Sequence, residues 1–373
     1  MPAHPPLTSI INAWGTPTPF GVSRSSATVA QIAALAGQRH ADIDELAAQV
    51  AGRVLQITGT QAAWFCHCSA AGITLAAAGA LAGADPAAVA ALPRRDEAGV
   101  IAIQQEHCVN YGQPIEQAIR LSGAHVRQLE GPAAQRWAQL EALAREGTLR
   151  GIVYVESSLT KRPAALMRGA LSEFARRHGA WLIVDAAAQD WRMNDRQALA
   201  EADVTIFSAQ KYLAAPTCGI AAGTAPAIAA MRAHLAGIGR AMKPTKEALA
   251  GLWQALAERD WSALPVLRER NIARARRFAD ALRQGAVAWP RISVAEDDVY
   301  GPYPRIFLDY GPNASAAEVA DRLMNGEPRI AVGRGHLDRN ALTLELTFVS
   351  PEEESHLLHR LRDAHADAGV GGR

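Results

Sequence analysis

Residues 181–223 read WLIVDAAAQDWRMNDRQALAEADVTIFSAQKYLAAPTCGIAAG. Two short apolar runs stand out, Trp181–Val184 and Val204–Phe207, each rich in Val and Ile. Such runs suit the buried strands of a parallel sheet, which meet apolar layers on both faces. Each run ends in polar residues: Asp185 after the first, Ser208-Ala209-Gln210-Lys211 after the second. Ligands of open α/β sheets bind at the carboxyl ends of strands. A carboxylate and a lysine are therefore expected to face one crevice.

That pair suits pyridoxal phosphate (PLP). PLP needs a lysine amine for a Schiff base and an acid beside its ring nitrogen to keep the pyridinium protonated. Lys211 and Asp185 are thus the expected catalytic and cofactor-holding residues, and Ser208, three before the lysine, is an expected cofactor ligand. A strand-end Asp that caps a helix and a solvated Lys would each be unremarked alone. Together, and followed by the small-residue segment Thr217-Cys218-Gly219-Ile220, they favour the cofactor.

Outward from this stretch, strands are expected at Ala62–Cys66, Val100–Gln104, Gly123–Leu129 and Gly151–Val155. Helices are expected at Ala133–Glu146, Leu166–Gly179, Ala225–Gly237 and Lys246–Leu256. The alternation predicts an α/β chain, a three-layer αβα large domain with a mostly parallel sheet. After Trp261 the pattern changes to a smaller α+β C-terminal domain: a basic helix Leu264–Gln284, strands near Ile292–Ala295, Arg305–Asp309, Ile330–Val332 and Leu342–Leu346, and a last helix from Pro351. Ser315 with Glu318 reads as a capping box. The expected organisation is 1–60 N-terminal arm and helices, 61–256 large cofactor-binding domain, and 257–373 small domain. Residues 1–11 read as a Pro-containing arm.

Two segments raise site questions by physical chemistry alone. Small residues after Ala62–Cys66, in Cys68-Ser69-Ala70-Ala71-Gly72, open an Ala-rich helix whose free N–H groups suit a phosphate. Ser69 adds a hydroxyl there, and a plain serine N-cap would occupy the same position. Glu156-Ser157-Ser158 ends another strand, so Ser157 or Ser158 faces the cofactor or substrate.

The wording VDAAAQ, then FSAQKY, then GRAMKPTKEALAGLWQAL at 239–256 resembles the selenocysteine-synthase-like branch of fold-type I PLP enzymes. That branch includes the D-glucosaminate-6-phosphate ammonia-lyases. The resemblance covers roughly residues 10 to 350 and implies the aminotransferase-like fold. It matches Asp185 to the pyridinium partner and Lys211 to the Schiff-base lysine. Cys68 stands where the family has Gly in its phosphate segment, with Ser69 beside it. A residue near the end of Val100–Gln104 packs on the pyridine face in such enzymes; His107 is the first candidate and Gln105 the second. Arg240 and Lys243 match the segment that follows the lysine and are assigned to a substrate phosphate or carboxylate, for which such cations are suited. Asn12, Gly15 and Thr16 match a segment that closes the active site, often from the partner subunit. Arg334, with Arg329 as the weaker alternative, lies where such enzymes use an Arg against the substrate carboxylate. The resemblance also implies at least a homodimer.

Composition narrows the rest. The chain has 373 residues, 49% hydrophobic and 20% charged, with formal net charge +1. That balance gives no reason to expect nucleic acid or an acidic membrane as partner. MPAHPPLTSI lacks the basic and apolar regions of a signal peptide. Trp64 to Ala84 carries no Asp, Glu, Lys or Arg and is long enough to span a bilayer. Its Ala, Gly, Ser and Thr favour a buried helix instead. Cys66-His67-Cys68 lacks the common zinc spacing, so no metal is expected. The four cysteines fall in interior segments, which points to a reduced, cytoplasmic protein.

The expected reaction is α,β-elimination on a small amino acid or amino sugar acid, of the ammonia-lyase type. An aminotransferase, a seryl-tRNA selenium transferase and a non-catalytic PLP-fold protein are the alternatives, because the same cofactor serves several reactions and fold does not fix function.

Overall fold

A computed structural model describes residues 7–94, 99–160, 162–284, 289, 291–311 and 314–370. The first part of the expected arm, up to residue 6, lies outside them. In chain order the strands are β1 (Ile10–Ala13), β2 (Ala62–Cys66), β3 (Val100–Gln104), β4 (His125–Leu129), β5 (Leu149–Val155) and β6 (Trp181–Asp185). They continue with β7 (Val204–Ser208), β8 (Gly219–Gly223), β9 (Arg291–Ala295), β10 (Arg305–Asp309), β11 (Arg329–His336) and β12 (Ala341–Leu344). The chain folds as two compact units, Ser25–Trp261 and Met1–Arg24 with Ser262–Arg373.

The unit Ser25–Trp261 holds, among the described residues, a seven-stranded sheet in the order β2-β8-β7-β6-β5-β3-β4. Strands β3 to β7 run parallel, and β8 runs antiparallel to both β7 and β2. Successive side chains of a strand point to opposite faces, and the core follows that rule. Leu182, Val184 and Phe207 pack with Leu140, Phe174, Leu249 and Val54 on one face. Ile183, Val204 and Ile206 pack with Ile73, Leu75 and Met231 on the other. By the same parity Asp185 and Ser208 lie on the second face, the one covered by the helix Ser69–Ala82. The uniformly buried pattern of β7 is what a strand covered on both faces shows.

The helix Ser69–Ala82 resolves the uncharged stretch. Trp64–Cys66 belongs to β2, and the helix has 14 residues, about 21 Å of rise and too short for a bilayer. Its small residues allow close packing: a Cβ at Gly72 would sit 3.0 Å from Ile206 and one at Gly79 3.0 Å from Trp181. Among the described residues no helix is long and apolar enough to cross a membrane.

The second unit holds a five-stranded sheet in the order β1-β11-β12-β10-β9. Only the β1–β11 pair is parallel. Its core joins Ile11 and Ala13 of β1 to Phe278, Ile306, Leu323 and Leu361. The predicted cap is present: the Ser315 hydroxyl accepts the N–H of Glu318 at 3.3 Å.

The expected division needs two corrections. Residues 1–60 do not form one segment: β1 completes the second unit's sheet, while the helices Ala27–Gly37 and Ile43–Thr58 belong with Ser25–Trp261. Val50 and Val54 of the latter helix are buried in that unit's core. The later boundary falls after Trp261 rather than at 256, because the helix Lys246–Glu258 runs on and Trp261 packs against the same core.

Candidate active site

Asp185 is the last residue of β6 and only 5% exposed. Its Oδ1 accepts the N–H of Ala187 at 3.0 Å. Burial raises its pKa, the Ala187 N–H and Lys211 pull it down, and Glu156 pushes it up. Lys211 follows the turn after β7. Burial lowers its pKa, while Asp185 and then Asp190 raise it. The Asp185 carboxylate is thus held out of water, and the half-buried Lys211 amine lies within its electrostatic reach, each favouring the other's charged form.

Ser208 ends β7 with 1% exposure, and its Oγ has no hydrogen-bond partner among the described residues. A buried hydroxyl without a partner costs free energy, so the Ser208 Oγ is a group that a bound molecule could satisfy. The same face carries the start of the helix Ser69–Ala82. Cys68 is its N-cap, in extended conformation, and makes no side-chain cap bond. Ser69 is therefore the first helical residue rather than the cap. First-turn N–H groups left without a cap form an anion site. Gly219 permits the close approach of β8: a Cβ there would lie 2.6 Å from the Cys68 carbonyl and the Cys66 sulfur.

His107 is buried, but not as a free ring. Its Nδ1 accepts the N–H of Val155 at 3.4 Å, and it meets Tyr154 edge-on at 4.4 Å. Burial lowers its pKa to about 4. It is thus a neutral ring engaged with β5. Gln105 is exposed in the short 3-10 turn Gln105–His107. Ser157 is turned inward on its own loop, its Oγ accepting the N–H of Leu159 at 3.1 Å.

Arg240 and Lys243 are exposed and have no ion-pair partner among the described residues. They line a cavity of about 400 Å³ with Trp64, Leu235, Thr245 and Leu249. Neither Asp185 nor Lys211 is among its lining residues. Their segment does touch the cradle: the His67 N–H donates to the Met242 carbonyl at 2.6 Å.

In the second unit, Asn12 staples its own turn. Its Nδ2 donates to the Gly15 carbonyl at 2.9 Å and its Oδ1 accepts the Trp14 N–H at 3.0 Å. Gly15 has φ +103° and a Cβ there would strike the Glu345 carboxylate, itself buried and paired with Arg305. Thr16 is half-buried beside this turn. Arg334 lies on β11, 34% exposed and ion-paired with Asp321.

Three further groups act on Asp185 or Lys211; Glu156 ends a strand the sequence already marks, while Tyr111 and Asp190 are not among the expected site residues. Tyr111 has a buried hydroxyl without a hydrogen bond, near Asp185 and Cys68. Glu156, held by Arg168 and by Arg192 at 3.6 Å, acts on Asp185. Asp190 is fully buried, with Arg259 3.6 Å away. Burial raises Asp190 to about 6 against Arg259, nearby N–H groups and Lys211. Among the described residues no group of three His, Cys, Asp or Glu could hold a metal.

Comparison with known proteins adds the family. No family model matches the chain. The chain is 30% identical over 368 residues to D-glucosaminate-6-phosphate ammonia lyase of Salmonella typhimurium (strain 14028s / SGSC 2262), covering 96% of this chain and 95% of that one. It is also 30% identical over 386 residues to 5'-C-glycyluridine monooxygenase-decarboxylase of a Streptomyces species, covering 98% and 92%. A solved structure of D-glucosaminate-6-phosphate ammonia-lyase superposes with TM-score 0.79 at 28% identity, over 97% of each chain.

Proposed function

Because the chain belongs to the family of fold-type I PLP-dependent enzymes that includes D-glucosaminate-6-phosphate ammonia lyase, we propose that it is a PLP-dependent ammonia-lyase acting on a small amino acid or amino sugar acid. The observation that carries this is the end of the β6–β7 pair. There a buried carboxylate and a partnerless serine hydroxyl share the face that holds an uncapped helix start, and a half-buried amine follows in the turn after the serine.

The residues fit the cofactor group by group. Lys211 would hold it through its Nζ in the resting enzyme, an amine set free again once the substrate's own amine takes that place, and Asp185 would meet the ring nitrogen. Ser208 and the first-turn N–H groups from Ser69 onward take the phosphate, beside Cys68. The Tyr111 hydroxyl is near enough to Asp185 and Cys68 to serve the same ligand. When bound, PLP supplies an electron sink for bond breaking at the substrate's α-carbon.

The protein's own part is positional and acid–base. Lys211, its proton affinity lowered by burial, takes the α-proton at Nζ as general base. Loss of the β-hydroxyl follows, and water then releases ammonia and leaves a keto acid. Atoms balance, since the water lost is the water regained. Arg240 and Lys243 would meet an anionic group of the substrate. Asn12 and Thr16 belong to a turn whose bracing suits a closing segment. His107 and Ser157 support the pocket wall. The reading carries a cytoplasmic enzyme, at least a homodimer, on a small-molecule amino substrate; its four cysteines are free.

The test is the visible spectrum of the purified protein before and after borohydride, with peptide mapping. A yellow band reduced onto Lys211 supports the reading, and a colourless protein that takes up no PLP overturns it. A second reading rests on the equal identity to a monooxygenase-decarboxylase. Turnover that requires oxygen and releases carbon dioxide favours it, whereas anaerobic release of ammonia favours the lyase.

A further inference from the structure

Two buried carboxylates act electrostatically on Lys211, and only one of them, Asp185, belongs to the strand-end pair. Asp190 follows Asp185 by a short turn: the Gln189 N–H donates to the Ala186 carbonyl at 2.8 Å, and Asp190 opens the 3-10 turn Asp190–Arg192. Its side chain has no exposure, and neither oxygen makes a full hydrogen bond among the described residues. Arg259 lies 3.6 Å from Oδ2, and its other terminal nitrogen, Nη1, donates to the backbone carbonyl of Tyr212 at 3.1 Å. Tyr212 is the residue next to Lys211, and its ring meets Trp191 edge-on at 5.8 Å.

These contacts form a strut. The loop carrying Asp185 reaches through Asp190 and Trp191 to Arg259 and Tyr212, and so to the loop carrying Lys211. A buried carboxylate with no full hydrogen bond and its guanidinium partner 3.6 Å away is expensive, and fold alone has cheaper ways to join two loops.

We propose that Asp190, braced by Arg259, is a positioning residue for Lys211: it fixes the lysine's loop and supplies the second negative charge that holds the proton on its nitrogen. The proposal rests on the PLP reading above. The charged groups around the pair are those already named: Asp185 and Asp190 act on Lys211, Arg259 and Lys211 on Asp190, and Glu156, paired with Arg168 and Arg192, on Asp185. Tyr111 also faces Asp185.

The experiment reads the pH midpoint of the visible band of the PLP-loaded protein. Asp190→Asn removes a negative charge, so the protonated form loses support and the midpoint falls by about 1 pH unit. Asp190→Glu restores it. Because Asp190→Asn strands a buried guanidinium, the double variant Asp190→Asn/Arg259→Met is measured beside it; it removes the pair together and shows a smaller fall in the same direction, because loss of the cation offsets part of the loss of the anion. A strut with a purely structural role would alter folding while leaving the midpoint in place. An unchanged midpoint in whichever neutral variant folds, judged by circular dichroism, overturns the proposal. Failure of the wild type to take up PLP instead overturns the functional reading.

Discussion

Ser208 and Gly219 are register partners across the antiparallel β7–β8 pair, the one with a partnerless hydroxyl and the other with no room for a side chain. The two constraints share a cause if a phosphate lies against the helix start that both approach. The Ser208 hydroxyl makes no bond within the chain, so Ser208→Ala should leave stability within about 0.5 kcal/mol of wild type. PLP affinity, measured by fluorescence titration of the apo-protein, should fall about tenfold, the worth of one hydrogen bond to a charged group.

Gly219→Ala should behave differently. The new Cβ meets a backbone carbonyl and a buried sulfur at 2.6 Å, neither the end of a flexible chain. A loss of about 2 kcal/mol in chemical denaturation is expected, along with weakened PLP uptake.

Lys211→Ala should abolish both borohydride trapping and turnover. Asp185→Asn should keep PLP bound while kcat drops about a hundredfold, since the neutral amide cannot hold a proton on the ring nitrogen. Spectra and steady-state kinetics on the same samples separate the two effects.

Arg240→Ala and Lys243→Ala should spare both the fold and the visible band, because neither side chain is ion-paired among the described residues. For a phosphorylated or dicarboxylic substrate KM should rise about tenfold each, an effect that high salt shrinks. An uncharged substrate analogue should show no such rise.

His107 gives a pH prediction. It is held neutral, its pKa lowered from 6.5 to about 4 by burial. A base depressed in this way stabilises the fold above its unfolded pKa, and that stability is lost as pH falls from 6.5 towards 4. The span is worth about 3 kcal/mol. Asp190, raised to about 6, works in the opposite sense, stabilising the apo-protein as pH falls below 6. Urea midpoints of wild type and His107→Asn across pH 7 to 4 separate the two, and the variant should show the shallower acid loss.

The strand ends were legible because local chemistry wrote them: Val-Ile runs flanked by Asp185 and by Ser208–Lys211 need no distant partner to be read. The Ser315 cap and the helix Lys246–Glu258 are local in the same way. Asp190 is different. Its burial depends on Arg259, far along the chain, and on a turn without periodicity, so nothing near it in sequence marks it. Tyr111 looks like any loop tyrosine until Asp185 and Cys68 are brought beside it. His107 is legible as a buried ring near the end of β3, but its bond to the Val155 N–H and its edge-on contact with Tyr154 depend on β5 and carry no mark nearby. The place of β1 was hidden for the same reason, since a four-residue strand carries no mark of its partner.

That pairing of β1 with β11 has a consequence for biosynthesis. Ile10–Ala13 leave the ribosome some three hundred residues before Arg329–His336. At usual elongation rates the wait is on the order of 15–60 s. Ser25–Trp261 carries its own core and can fold within that interval, while the first strand remains an unpaired edge. Completion of the smaller sheet therefore waits for β11, and it is the step most open to interception by a chaperone.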